Sequence, residues 1–446
     1  MTKVITYGTY DLLHQGHINL LRRAKELGDY LIVGVTSDSF DKERGKLNVR
    51  NNVLERVQAV KDTGLADEVI IEDYLGQKID DIQKYDVDIF TVGSDWEGHF
   101  DYLSEYCKVI YLDRTQGVSS TEIRSESGVL RIGLIGDSSL LNKFERESQY
   151  VNGVIISGIC TQNDADLSNE VKNLPVKTEV LEELFNVSDA VYIASHPSKH
   201  YEQAKAALLA GKHVLCESPI ALSKKSFIDL MTIANSRNLV LTDSLKTAYS
   251  TAYNRMLLLI KSGVIGEVKS VDSVCTSLSD LERRSGNPTP ETWNSICAWG
   301  PTAMLPIFQL LGTEYISKQI TSHVIAKDFD SFTKIAFVYP HAVASLKVGK
   351  GVKSEGELIV SGTQGYVYIP APWWKTEYFE IRYENPADNK RYYYQLNGEG
   401  IRYEIVSFCK TIKKGKSFGG YISDEVSTEI IKTIESFYLK NDYIEI

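Results

Sequence analysis

Gly8-Thr9-Tyr10-Asp11-Leu12-Leu13-His14-Gln15-Gly16-His17 joins an apolar run at residues 3–7 to an amphipathic one at 17–27, where Ile18, Leu20, Leu21 and Ala24 share a side. The first run reads as a strand and the second as a helix, so the stretch is a strand-to-helix turn of a parallel α/β unit. A helix start offers unpaired N–H groups and a positive dipole end, both suited to phosphate. Gly8 and Gly16 permit close backbone approach to a ligand. His14 and His17, three apart, can face the same side and donate hydrogen bonds to phosphate oxygens as charge builds on group transfer. Two histidines there can equally cap the helix and face solvent, so their surroundings decide.

Further strands are expected at 30–36, 88–93 and 108–112, separated by helical patterns. After the last comes Arg114-Thr115-Gln116-Gly117-Val118-Ser119-Ser120-Thr121, then Glu122-Ile123-Arg124. That segment supplies a guanidinium, hydroxyls and another helix start, a second phosphate cradle. Lys42, Arg44 and Lys46 follow the second strand, with Lys78 farther on; any one alone would read as a solvated surface charge. Asp95-Trp96 follows Val92-Gly93-Ser94 at a strand's carboxyl end, where open α/β sheets place ligands.

At 446 residues the chain should form two or three domains. Hydrophobic content of 43% with 24% charged residues is that of a globular protein with ample core. A formal net charge of -10 argues against general nucleic-acid or anionic-membrane binding, though not against a local phosphate site. Six scattered cysteines form no CxxC pair and no metal-ligand spacing, which suggests buried thiols in a reducing compartment. The start lacks a basic-then-apolar signal pattern, and no apolar stretch approaches the ~18 residues that span a bilayer. A cytoplasmic location is expected. The polar patch Ser125-Glu126-Ser127-Gly128 breaks the pattern, and a fresh series opens at Val129-Leu130-Arg131-Ile132-Gly133-Leu134-Ile135-Gly136. Strands should follow at 153–160, 190–194, 213–216 and 239–242, then β-rich sequence from 268 and a helical region over 400–438. The expected domains are 1–127, 128–248 and 249–446. The expected fold class is α/β: two Rossmann-like domains, then an α+β domain with an open, mostly antiparallel sheet.

From Val4 to about Arg124 the chain resembles the glycerol-3-phosphate cytidylyltransferase family within the HxGH nucleotidyltransferases. His14-Gln15-Gly16-His17 marks the superfamily, while Arg114–Thr121 and Val92-Gly93-Ser94-Asp95-Trp96-Glu97-Gly98 point to this branch. The resemblance implies that Thr9, Tyr10, His14, Gly16 and His17 hold CTP, with Lys46 on its phosphates. Arg114, Thr115, Gly117, Ser119, Ser120 and Thr121 would complete that site. Arg44, a lysine in the family, and Lys78 would hold the acceptor phosphate; Asp11 and Asp95 would be metal or nucleotide partners. Mg²⁺ should ride with the triphosphate. The implied reaction joins CMP to a polyol phosphate, with glycerol 3-phosphate the leading acceptor and glycerol 2-phosphate or a longer alditol phosphate open.

From Leu130 onward the chain resembles the glucose–fructose oxidoreductase/inositol dehydrogenase (Gfo/Idh/MocA) family. The residues that carry the likeness are Asp189-Ala190-Val191-Tyr192-Ile193-Ala194, Pro197-Ser198-Lys199-His200 and Ala210-Gly211-Lys212-His213-Val214-Leu215-Cys216-Glu217. Ser262–Val268 and Ile369–Lys375 extend it. The likeness implies an NAD(P)-binding Rossmann unit, with Gly136, Pro197, His200 and Glu217 in the dinucleotide site, and a sheet domain that dimerises. The proton-handling residues depart from the family. Its Glu-Lys-Pro is Glu217-Ser218-Pro219 here, and its Asp-x-x-x-His/Tyr element falls on Ala298 and Thr302. Ser138 and Leu141 stand at the later glycine positions, and Thr161 where an acidic residue would bind ribose. Serine cannot replace lysine as a general acid near neutral pH without activation. A retired, redox-inactive platform is therefore favoured over a reductase that makes the polyol phosphate. Trp373-Trp374 and Tyr392-Tyr393-Tyr394 read as core and interface packing.

Overall fold

In the computed structural model, which describes residues 1–44, 46, 49–113, 129–278, 293–394, 396, 398–414 and 421–446, the chain forms two compact units. One comprises residues 1–129 with 151–153, the other 130–150 with 154–446.

The first unit follows from strands that are apolar on both faces. Val4, Leu31 and Val33 meet Leu21 and Ala24 in one core, while their chain neighbours Ile5 and Ile32 join Phe90, Ile82 and Leu103 in another. Such two-sided burial demands helices on both faces and hence parallel strands. Strands β1 (Lys3–Gly8), β2 (Tyr30–Thr36), β3 (Glu68–Glu72), β4 (Ile89–Gly93) and β5 (Lys108–Leu112) pair in parallel in the order β3-β2-β1-β4-β5. Helices α1 (Gln15–Lys25), α2 (Asp38–Glu43), α3 (Val53–Asp62) and α4 (Gln77–Tyr85) make the connections. Asn52 and Glu55 form a capping box that starts α3. The sequence of connections reverses between β1 and β4, which opens a crevice at their carboxyl ends.

The second unit begins with β6 (Leu130–Ile135), β7 (Val154–Cys160), β8 (Lys177–Thr178), β9 (Ala190–Ile193), β10 (His213–Glu217) and β11 (Leu241–Ser244). They form a parallel sheet in the order β11-β10-β9-β6-β7-β8. A nine-stranded sheet follows, built from β12 (Val268–Thr276), β13 (Ser317–Ala326), β14 (Phe329–Val338), β15 (Val343–Gly349), β16 (Leu358–Gly362), β17 (Tyr366–Ile369), β18 (Tyr378–Arg382), β19 (Lys390–Tyr393) and β20 (Tyr443–Glu445). Its order is β19-β18-β17-β16-β12-β15-β14-β13-β20, antiparallel except at β12–β15 and β13–β20. Residues buried and exposed alternate along β14, so one face packs and the other is open. The packed face meets the apolar helix Ser295–Leu311, started by an Asn294 cap that accepts the Cys297 N–H at 3.1 Å. The architecture is thus α/β, with two Rossmann-like sheets and then a mixed, mostly antiparallel one. The boundary expected near Ser127 lies outside the described residues.

Candidate active site

The turn after β1 is held in an unusual shape. Tyr10 (φ 53°) and Leu12 (φ 47°) occupy the left-handed region, which costs a non-glycine residue about 1–3 kcal/mol. Two buried groups maintain it. The Tyr10 ring takes the space beside Gly8, where a Cβ would lie 2.9 Å from the ring. The Asp11 carboxylate, wholly buried, accepts backbone N–H groups of Arg50 (3.2 Å) and Asn51 (3.0 Å). Asp11 therefore ties the turn to the loop before α3. His14 caps α1, its Nδ1 accepting the Gly16 N–H at 3.1 Å, so the neutral ring carries its proton on Nε2. The rings of His14 and His17 stack at 3.9 Å, and Tyr10 meets His17 edge-on at 5.5 Å. Capping and pairing of the imidazoles thus coexist.

A small cavity opens at the carboxyl ends of β1 and β4. Its wall brings together Thr9, Arg44, Lys46 and Lys78 with the rings of Tyr7, Phe90, Trp96 and Phe100; neither imidazole is part of it. Lys46 donates to the Thr9 hydroxyl, which donates to Asp41 Oδ1 at 2.7 Å. Burial pushes the Asp41 carboxyl above its usual range, against the pull of Lys46, Thr9 and Arg56. Glu72, at the end of β3, is 1% exposed and pairs with both Lys78 and, at 3.5 Å, Arg44. Burial draws the Lys78 ammonium down to about 8, while Glu72 opposes the shift. Lys78 also lies 4.5 Å from the centre of the Tyr7 ring. That ring leans over Gly34 of β2, where a Cβ would stand 2.2 Å from it, and its hydroxyl donates to Asp81 at 2.9 Å. Asp95 sits exposed in the short turn Ser94–Trp96 and is not in the cavity wall. Arg114, Thr115, Gly117, Ser119, Ser120 and Thr121, like the Lys42 side chain, lie outside the described residues.

Glu72 and Arg56 were not apparent from the sequence. Arg56, 1% exposed, donates to the carbonyls of Thr9 (2.7 Å), Thr36 (2.8 Å) and Asn51 (3.0 Å) and to Asp38 (2.6 Å) and Asp41 (3.0 Å). It therefore positions the backbone from which Thr9 projects. The available signal was weak: an arginine on the apolar side of α3 and a glutamate closing an apolar run.

The second unit holds a cavity of about 620 Å³ whose wall includes Glu217, Ser218, Ala298 and Thr302. The three proton-handling positions that depart from the oxidoreductase pattern, Ser218, Ala298 and Thr302, are therefore gathered in one place. Pro197 and His200 are not in that wall. His200 is buried, its ring nitrogens 2.8 Å from the Pro219 carbonyl and 2.9 Å from that of Ser195, and burial draws its pKa down to about 4. Gly136 lines a neighbouring cleft of about 300 Å³. Its own missing side chain is demanded by the fold, since a Cβ would meet the Ala194 carbonyl at 2.6 Å. The residues present do not fit a dinucleotide. In the turn where pyrophosphate would lie, Asp137 turns an anionic group onto the Thr161 hydroxyl (2.7 Å) and the N–H groups of Gln162 (3.1 Å) and Asn163 (3.2 Å). Ser138 occupies the Leu140 N–H at 3.2 Å, and Leu141 is buried where a glycine would let helix and sheet approach.

The first fold and its site define a nucleotidyltransferase: residues 5–126 match the family described as Cytidylyltransferase-like. By this module the chain belongs to the glycerol-3-phosphate cytidylyltransferase family. It is 51% identical over 130 residues to the glycerol-3-phosphate cytidylyltransferase of Bacillus spizizenii, covering 29% of this chain and 100% of the relative. With that of Staphylococcus aureus the identity is 52% over 131 residues, covering 28% of this chain and 95% of the relative. Residues 130–244 match the oxidoreductase family with an NAD-binding Rossmann fold, Gfo/Idh/MocA. The fold of the second unit resembles that of a 3-ketoreductase from Actinomadura kijaniata, solved with NADP and TDP-benzene. The TM-score is 0.60 at 16% identity, over 71% of this chain and 99% of that one. UDP-N-acetylglucosamine 3-dehydrogenase of Acidithiobacillus ferrooxidans gives a TM-score of 0.58 at 16% identity, over 70% and 98%. Among the described residues no helix is long and apolar enough to cross a membrane.

Proposed function

We propose that the first unit transfers CMP from CTP to glycerol 3-phosphate or a related polyol phosphate. The observation that carries this reading is the cation set Arg44, Lys46 and Lys78 around one cavity beside the turn that bears His14 and His17. An oxygen of the acceptor phosphate attacks the α-phosphorus of CTP; the bond to the bridging oxygen breaks, and pyrophosphate leaves. The nucleophile is already anionic, so the reaction needs positioning and charge stabilisation rather than a base. His14 and His17 donate to the phosphate oxygens, Lys46 neutralises the triphosphate, and Arg44 and Lys78 hold the acceptor phosphate. The 114–121 segment and Asp95 complete the nucleotide site. Mg²⁺ enters with the triphosphate and supplies further neutralisation. The second unit serves as a redox-inactive platform, because Ser218, Ala298 and Thr302 cannot handle the substrate proton. The protein works in the cytoplasm as a homodimer with domains 1–127, 128–248 and 249–446, and its CDP-polyol feeds a cell-surface polymer.

Incubation with CTP, Mg²⁺ and glycerol 3-phosphate should release pyrophosphate, and His14→Ala should lower turnover by about 10²-fold or more without altering folding. No pyrophosphate from any of a panel of polyol phosphates would overturn the reading. Consumption of NADH or NADPH with a ketose or aldose phosphate would reinstate the reductase.

A further inference from the structure

We infer that the cavity of the second unit binds a phosphorylated sugar or alditol, with no dinucleotide beside it. The inference stands independently of the transferase reading. Lys143, Lys246 and Lys375 surround the single carboxylate of Glu399 at 3.6, 3.0 and 3.0 Å, and all four line the cavity. The lysines come from three separate segments: the helix Leu140–Ser148, the turn after β11 and the short turn Trp373–Lys375. Burial pushes the Glu399 carboxyl up, but Lys375 and Lys246 hold it down at about 2. Three lysine side chains gathered on one carboxylate suit the oxygens of a phosphate monoester, which ammonium groups recognise.

The rest of the wall suits hydroxyls. Glu217 and Glu404 both line the cavity, and burial, followed by their mutual repulsion in the case of Glu404, raises both carboxyls above their ordinary range. Glu217 accepts from Tyr192 and, at 3.0 Å, from Ser244. Glu404 is 1% exposed, and among the described residues its Oε1 has no hydrogen-bond partner. A buried polar atom left so is costly, and a ligand hydroxyl would satisfy it. Trp299 and Trp374, ring centres 4.8 Å apart, offer an apolar surface for the carbon chain. The volume of about 620 Å³ lies within the roughly 300–1,000 Å³ of small-molecule sites. The Asp137 carboxyl in the turn that also lines this cavity disfavours a pyrophosphate there, and with it the dinucleotide as competitor for the space.

Calorimetric titration of the full chain tests the inference, with sorbitol 6-phosphate as probe, inorganic phosphate and sorbitol as its halves, and NADPH as the alternative. Sorbitol 6-phosphate should bind, and Lys143→Ala with Lys375→Ala should weaken it by about tenfold or more. Glu399→Gln should shift inorganic phosphate the opposite way, towards tighter binding, a gain that misfolding would not produce. Both variants should keep parental pyrophosphate release, which separates failure here from failure of the transferase reading. Absence of binding, indifference of sorbitol 6-phosphate to the lysine substitutions, or its displacement by NADPH would each overturn the inference.

Discussion

Glu72 touches two cations that would otherwise repel each other across the proposed acceptor pocket. Because its charge raises the affinity of Lys78 for a proton, Glu72→Gln should lower the Lys78 pKa further below about 8. A neutral lysine cannot hold an acceptor phosphate. The alkaline fall in kcat/KM for the acceptor should therefore begin at lower pH in Glu72→Gln than in the parent, as a pH–rate profile would record. Family likeness singled out Arg44 and Lys78 as candidates, but not Glu72. A lone glutamate ending a strand has no signature, and only the fold shows that two distant cations converge on it.

Among the elements, α3 and the helix Ser295–Leu311 depend on single side chains. Arg56→Ala would remove a buried charged donor from Asp38, Asp41 and three carbonyls, leaving Asp41 only its bond from Thr9 and its pull from Lys46, at a cost of about 3–5 kcal/mol. Urea unfolding of the first unit should register it. Asn294→Ala removes a helix cap and the amide's bonds to the Asp328 carbonyl (2.9 Å) and Tyr438 (3.0 Å), so a loss of about 1–2 kcal/mol is expected by the same measurement on the second unit. A strand with a continuous apolar run, such as β2, was readable from sequence with its ends. β3 and β13 were not. The first is five residues bracketed by glutamates, and the second, Ser317–Ala326, alternates polar and apolar residues too irregularly to suggest a ten-residue strand. The helix Ser295–Leu311 was hidden by Pro301 and Pro306, which ordinarily argue against a helix interior.

At the scale of the whole chain, buried titratable groups give the second unit opposing responses to acid. Burial draws His200 down to about 4 from 6.5, so its contribution to stability is complete above pH 6.5 and lost as pH falls towards 4. Burial raises Asp330 from 3.8 to about 6, so its contribution is complete below pH 3.8 and lost as pH rises through 6. Asp243, also raised by burial to about 6, acts in the same direction as Asp330. Thermal unfolding between pH 4 and 6.5 should show His200→Gln gaining stability relative to the parent as pH falls. Asp330→Asn should gain relative to the parent as pH rises. The two-module plan and the cytidylyltransferase turn were readable because contiguous motifs encode them. The cavity of the second unit was not, because its lysines are scattered from residue 143 to residue 375.

Gly34 contacts no proposed ligand, yet its bare α-carbon is what lets the Tyr7 ring tip across the neighbouring strand and lie beneath the Lys78 ammonium. With the acceptor in the proposed site, selectivity for it would be partly written one strand away from where it sits. Relatives with a side chain at that position would have to re-seat the aromatic ring, and with it the cation above. Two enzymes with identical pocket walls could then prefer different polyols, the difference lying in a residue that a contact map of the bound substrate would never include.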